Sequence, residues 1–157
     1  AGVRGTRFRV AQDDTDRTRV ESLRGVVEVQ ATQGKKQSVT LHAGFATWVD
    51  ATGVPSPPTP LLPAVLPVGP LRGAVLPGVQ LSWQAAAGAV RYLVDLAADG
   101  EFATQVSALD TQALAIAAPL TLQPGKWFWR VQAQDAAGFV GLPSKTYSFD
   151  LPLPVAP

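Results

Sequence analysis

Short runs in which apolar and polar residues alternate recur along this chain, and glycine, proline or clusters of aspartate close them off from one another. A period of two sends successive side chains to opposite faces, so such runs specify half-buried strands rather than helices. Between residues 6 and 50 the pattern predicts strands at 6–11, 17–23, 26–31, 37–42 and 45–50. Phe8 and Val10 fall on one face of the first and Arg7 and Arg9 on the other, which predicts a buried Phe8/Val10 face and an arginine surface. Val27 and Val29 alternate with Glu28 and Gln30, and Val39 and Leu41 with Thr40 and His42, in the same way.

From residue 79 onward the runs recur at a spacing of about ten to twelve residues, which is the rhythm of a sandwich of antiparallel sheets. Strands are expected at 79–84, 90–97, 103–108, 114–117, 126–135 and 145–151, with turns at 85–89 and 97–102. A helix competes over 100–119, where alanine and leucine are good helix formers, but the alternation there favours strands. Between the two regions, ATGVPSPPTPLLPAVLPVGP (51–70) has proline at intervals that remove backbone donors and bias the chain to polyproline II. An extended, semi-stiff connector is expected, with docking of Leu61, Leu62, Val65 and Leu66 on a neighbouring domain as the alternative.

A chain of 157 residues with 46% hydrophobic and 16% charged residues has room for two small cores. Its net charge of +1 gives no footing for nucleic-acid binding by counterion release. With no cysteine there is neither disulfide nor thiolate metal site, and His42, the single histidine, has no partner set for a catalytic relay or for zinc. The run Asp13, Asp14, Asp16 lacks the glycine and downstream glutamate of an EF-hand loop and reads as a solvated hairpin tip. GVRGTR neither follows a predicted strand nor opens a predicted helix, so it reads as a bend at Gly2 and Gly5 and not as a phosphate cradle. Arg4, Arg7, Arg9, Arg17 and Arg19 read as surface cations offset by Glu21 and the aspartates. No apolar run reaches the length of a membrane span, since PLLPAVLPVGPL is short and broken by prolines. No cofactor, metal or nucleic-acid partner is expected, and the chain reads as a non-enzyme.

Two stretches resemble known families. LSWQAAAGAVRYLVDLAADGEF with LTLQPGKWFWRVQAQDAAGFVGLPSKTYSF resembles a bacterial fibronectin type III-like module. The resemblance places Trp83 in the core on the second strand and Tyr92, Val94 and Leu96 inward on the third. DAAGFVG (135–141) matches the last hairpin, and Trp127 stands where the family has its corner tyrosine. An indole N–H can donate a hydrogen bond across such a corner but cannot accept one. The opening AGVRGT, the Arg19–Val20 pair, Gly25 and Leu41 to Gly44 resemble the closing half of a FecR-type domain. That resemblance implies a periplasmic or otherwise exported envelope protein without catalytic activity. Its relatives include regulators that pass signals to anti-sigma systems, and proteins that join such domains to peptidoglycan-binding LysM modules and fibronectin-like repeats. The expected architecture is all-β: a partial FecR-type β unit over 1–50, a proline-rich linker over 51–70 and an Ig/fibronectin III-like β-sandwich over 71–157. Strands missing from the first unit would leave exposed edges, for which pairing with the sandwich or self-association with a second copy is expected.

Strand parity nominates the contact residues. If Trp127, Trp129 and Val131 point inward, Phe128 and Arg130 point outward, and Leu93 faces out beside Arg91 and Asp95 on the neighbouring strand. Leu93 and Phe128 together would form an apolar spot flanked by charge, the usual appearance of a contact with a protein partner in the cell envelope, with cover by the linker or the first unit of the same chain as the alternative. The alternative is a carbohydrate-binding module for peptidoglycan or another polysaccharide, in which Phe128 or Trp48 stacks on sugar rings.

Overall fold

The computed structural model describes residues 6–13, 15–30 and 38–153; the GVRGTR glycines and Asp14 lie outside them. Thirteen strands follow one another without a helix among the described residues, and the strand reading of 100–119 holds against the helical one. Two compact units result, one formed by residues 1–62 with 137–142 and the other by 63–136 with 143–157.

In the first unit, β1 (Arg7–Gln12), β2 (Thr18–Arg24), β5 (Phe45–Val49) and β6 (Thr59–Pro60) form an antiparallel sheet in the order β1-β2-β5-β6. A separate hairpin pairs β3 (Val27–Gln30) with β4 (Ser38–Leu41). Turn chemistry is supplied by the side chains that the sequence offers. Asp13 accepts hydrogen bonds from the backbone N–H of Thr15 (2.9 Å) and Arg17 (3.0 Å) and from the Thr15 hydroxyl (2.7 Å). Asp50 repeats the device with Thr52 and Val54. The Thr15 and Thr52 hydroxyls lead the set of donors that hold these two carboxylates below their usual range. Gly25 closes the β2–β3 turn at φ +77, where a Cβ would stand 3.0 Å from Thr6 Oγ1, so the position requires glycine.

The second unit has seven strands: β7 (Pro67–Gly69), β8 (Gln80–Trp83), β9 (Ala89–Ala97), β10 (Ser107–Thr111), β11 (Ala115–Ala117), β12 (Gly125–Asp135) and β13 (Tyr147–Leu151). They form two antiparallel sheets, β11-β8-β7 and β10-β9-β12-β13. The sheets face each other through buried residues: the expected Trp83 with Leu81 from one, and the expected Tyr92, Val94, Leu96, Trp129 and Val131 with Phe149 from the other. The Trp83 and Tyr92 rings lie 5.6 Å apart across the layers, and the Trp129 indole N–H donates to the Pro70 carbonyl at 2.8 Å. Trp127 serves as the corner residue by donating its indole N–H to the Gln123 carbonyl four residues upstream, at 2.8 Å. That bond needs only a donor, which is why the indole can stand in for a phenol there.

Three expectations are corrected. The proline-rich stretch is no free connector: Leu61 is buried in the first unit and Val65 in the second, and residues of the stretch form β6 and β7, while Leu66 is exposed. Prolines at strand starts and edges are compatible with such pairing, because their missing N–H is not needed there. The strand expected at 103–108 begins later, at Ser107, because the Asp99 carboxylate organises the preceding loop. It accepts from the N–H groups of Glu101 (3.1 Å), Ala103 (3.0 Å) and Thr104 (2.7 Å), while Phe102 and Gln105 take positive φ. The third correction is on β1, where Phe8 and Val10 are 49% and 57% exposed and Arg9 is the side chain that another segment covers, while Arg7 is exposed.

Two predictions arise from this unit. Burial raises the Asp99 pKa, but the N–H groups of Thr104, Ala103 and Glu101 outweigh it and leave the group below its usual value. A lowered folded pKa gives stability that is complete above the unfolded value of about 3.9 and disappears as pH falls through the folded one. Urea midpoints of the wild type should therefore exceed those of Asp99→Asn near neutral pH and converge with them in strong acid. Among the tryptophans, the buried indole N–H of Trp83 has no partner among the described residues, whereas that of Trp129 has one. Leaving a buried polar group unpaired costs about 1–3 kcal/mol, so Trp129→Phe should destabilise the unit by about that much more than Trp83→Phe. Equal losses in urea unfolding would show that the bond to Pro70 contributes nothing.

Candidate functional site

Sheet pairing assembles the principal site of the first unit. On β1 and β2, Arg9 stands opposite Glu21 and Ala11 opposite Arg19; on β2 and β5, Arg19 stands opposite Trp48 and Glu21 opposite Ala46. Directly opposed residues share a face, so Arg9, Arg19, Glu21, Ala46 and Trp48 form one continuous patch. Glu21 at its centre has no solvent exposure. Arg9 Nε lies 3.0 Å from Glu21 Oε1 and Arg19 Nε 3.4 Å from Oε2, so the buried carboxylate is bracketed by two cations.

Residues 137–142 cover this patch, and nearly every polar contact goes to their main chain. The Trp48 indole N–H donates to the Ala137 carbonyl (2.8 Å) and Arg19 to the Gly138 carbonyl (2.7 Å). Arg9 donates to the carbonyls of Val140 (2.6 Å) and Gly141 (2.9 Å). In the other direction the Val140 N–H donates to Glu21 Oε2, and the Leu142 N–H to the Leu62 carbonyl at 2.9 Å. Phe139 supplies the anchor: its ring is buried with Ala46 and Leu61, is flanked by Leu23 and Leu142, and stacks on Trp48 at 5.5 Å. At Gly138 φ is +91 and a Cβ would stand 3.1 Å from Trp48 Cζ2, so a side chain there meets both strain and the indole.

On the opposite face, among the described residues, Phe8 and Val10 of β1 are about half exposed while Val20 of β2 is buried. Phe8, Val10 and Val20, with Val26, Val27 and Val29 from the turn and the hairpin, line an apolar groove of about 640 Å³. Glu28, Gln30 and Thr40 are among its few polar residues.

The four residues nominated from sequence are not brought together. Trp48 belongs to the first unit, where the Arg17 guanidinium lies 4.3 Å from its ring centroid and Phe139 stacks on it, so it offers no bare platform for a sugar. In the second unit Phe128 pairs with Ala97 and Leu93 with Gln132, which sets the two apolar side chains about 13 Å apart along the strands. Arg130 and Asp95 stand opposite each other between them, joined at 2.9 Å, and Arg130 also covers the Phe102 ring at 4.2 Å. The Gln132 amide donates to the same Asp95 oxygen at 3.0 Å. That outer face is therefore a ladder of paired polar groups, and the expected apolar spot of Leu93 with Phe128 is corrected accordingly. Leu93 and Phe128 are both half-buried.

Sequence reasoning missed the Arg9–Glu21–Arg19 cluster. Alternation in RTRVESL does set Arg17, Arg19 and Glu21 on one side, but a row of mixed charges looks the same whether water or another segment covers it.

No family model matches the chain, and no curated protein matches it. Among solved structures the chain is similar to a Fn3-like protein from Clostridium thermocellum, at 20% identity over 60% of this chain and 99% of that one, with a TM-score of 0.42. It is also similar to a cytokine receptor complex chain, at 17% identity over 92% of this chain and 96% of that one, with a TM-score of 0.40. The fold class rests on the chain's own topology: seven antiparallel strands in facing sheets, the sandwich architecture that fibronectin type III modules share.

Proposed function

We propose that the chain is a non-catalytic, protein-binding β module of an exported or periplasmic bacterial envelope protein, in which a FecR-type unit precedes a fibronectin type III-like one. It acts in signal regulation or envelope organisation by protein contact. The observation that supports this reading is the groove of the first unit, where Phe8, Val10 and Val26 are each about half exposed around a continuous apolar surface. A monomeric protein does not usually leave such a surface bare, and apolar side chains rimmed by polar ones are what a protein contact uses. The envelope assignment is carried by the resemblance of the opening residues.

The test is capture of envelope proteins by the chain, compared among wild type, Phe8→Asp and Phe128→Ala, beside sedimentation with purified peptidoglycan. The reading expects protein capture that Phe8→Asp abolishes and Phe128→Ala leaves intact. Retention on peptidoglycan lost in Phe128→Ala, with no protein dependent on Phe8, would replace it with the carbohydrate-binding alternative.

A further inference from the structure

The face of β1, β2 and β5 opposite the groove reads a main chain. The hydrogen bonds from Trp48, Arg19 and Arg9 and the one received by Glu21 all join a side chain of the cradle to the main chain of residues 137–142. Main-chain hydrogen bonds supply affinity without regard to the ligand's side chains, and pockets for individual side chains supply selectivity. Here selectivity resides in Gly138, which a Cβ would drive into Trp48, and in Phe139, whose ring fills the pocket beside Ala46 and Leu61. Val140 is buried as well. The cradle also has its own internal order, because Glu21 fixes both arginines through ion pairs independent of the segment they hold. A site whose donors are oriented beforehand loses less entropy when it takes a ligand.

We propose that this cradle is a peptide-binding site, occupied in cis by residues 137–142 and open in trans to an extended segment of the type Gly–aromatic–aliphatic from a protein partner. The cis segment acts as a resident competitor, so the apparent affinity for a partner is the intrinsic affinity reduced by the fraction of chains whose cradle is vacant. Weakening the resident segment raises that fraction.

The experiment uses the full chain and a labelled, end-capped peptide Ala-Gly-Phe-Val-Gly-Leu, followed by fluorescence anisotropy. Phe139→Ala removes the resident anchor and leaves Arg9, Arg19, Glu21 and Trp48 in place. This variant should bind the peptide at least about tenfold more tightly than the wild type does. Replacing the first glycine of the peptide by alanine should abolish binding, and adding Arg19→Ala to the variant should weaken it. A folded Phe139→Ala chain that binds no better than the wild type, or binds the alanine peptide equally well, overturns the proposal. Should Phe139→Ala fail to fold, the peptide is titrated, unlabelled, into the isotope-labelled wild type while the backbone N–H of Val140 is followed by NMR. Displacement of the resident segment takes that N–H off Glu21 and shifts its signal, and an unchanged Val140 signal at millimolar peptide overturns the proposal as well.

Discussion

Glu21→Gln lowers the stability of the first unit by about 3–5 kcal/mol, although it changes neither the volume nor the shape of the side chain. The carboxylate is fully buried and receives Arg9, Arg19 and the Val140 N–H, all of which are donors. A glutamine turns one of its two oxygens into a donor. In either amide orientation it faces a donor with a donor, and it leaves two guanidinium groups without their counter-charge. Buried Arg–carboxylate–Arg clusters can often be replaced wholesale by apolar residues at little cost. Replacement of Arg9, Glu21 and Arg19 together does not rescue this unit, because the arginines also satisfy the carbonyls of Gly138, Val140 and Gly141. Urea unfolding read through amide exchange on β2 and β5 checks both statements. A Glu21→Gln loss below about 1 kcal/mol would mean that water reaches the carboxylate.

Phe139→Ala should cost about 3–5 kcal/mol in the same unit, the range for removing an aromatic ring from a packed core. The ring is 2% exposed and lies among Ala46, Leu61 and Trp48, so its removal opens a cavity that the small neighbour Ala46 cannot fill. Trp48 loses its stacking partner at the same time. The second unit keeps Trp83, Tyr92, Trp129 and Phe149 in its own core, so its transition should move far less. A loss confined to the second unit would show that Phe139 had been assigned to the wrong core.

Tyr92, Val94 and Leu96 are buried as the fibronectin-like resemblance implies, Trp127, Trp129 and Val131 share one buried side as period two requires of alternate residues, and Trp127 donates its indole N–H to the Gln123 carbonyl. Parity also sorted Phe8 from Arg9 correctly, but it does not say which side of a sheet is covered. That side is decided by a segment more than a hundred residues away in the chain, since Glu21 and Val140 are 119 positions apart. Register is the other hidden quantity. Leu93 and Phe128 do share the outer face, yet the pairing of Arg130 with Asp95 inserts an ion pair between them. Proline dominates the composition around Leu61 and Val65 and predicts a connector with docking as the alternative, and their burial, set by cores built from other strands, follows the alternative.

The central claim is that residues 137–142 complete the first unit through the Arg9–Glu21–Arg19 cradle. Amide hydrogen exchange at Val140 tests it most directly, because that N–H is buried and donates to Glu21. The account predicts that Val140 exchanges as slowly as the amides paired between β2 and β5, and that Glu21→Gln accelerates it together with them. Exchange of Val140 in the wild type at the rate of an exposed loop amide, while β2 and β5 stay protected, would contradict it.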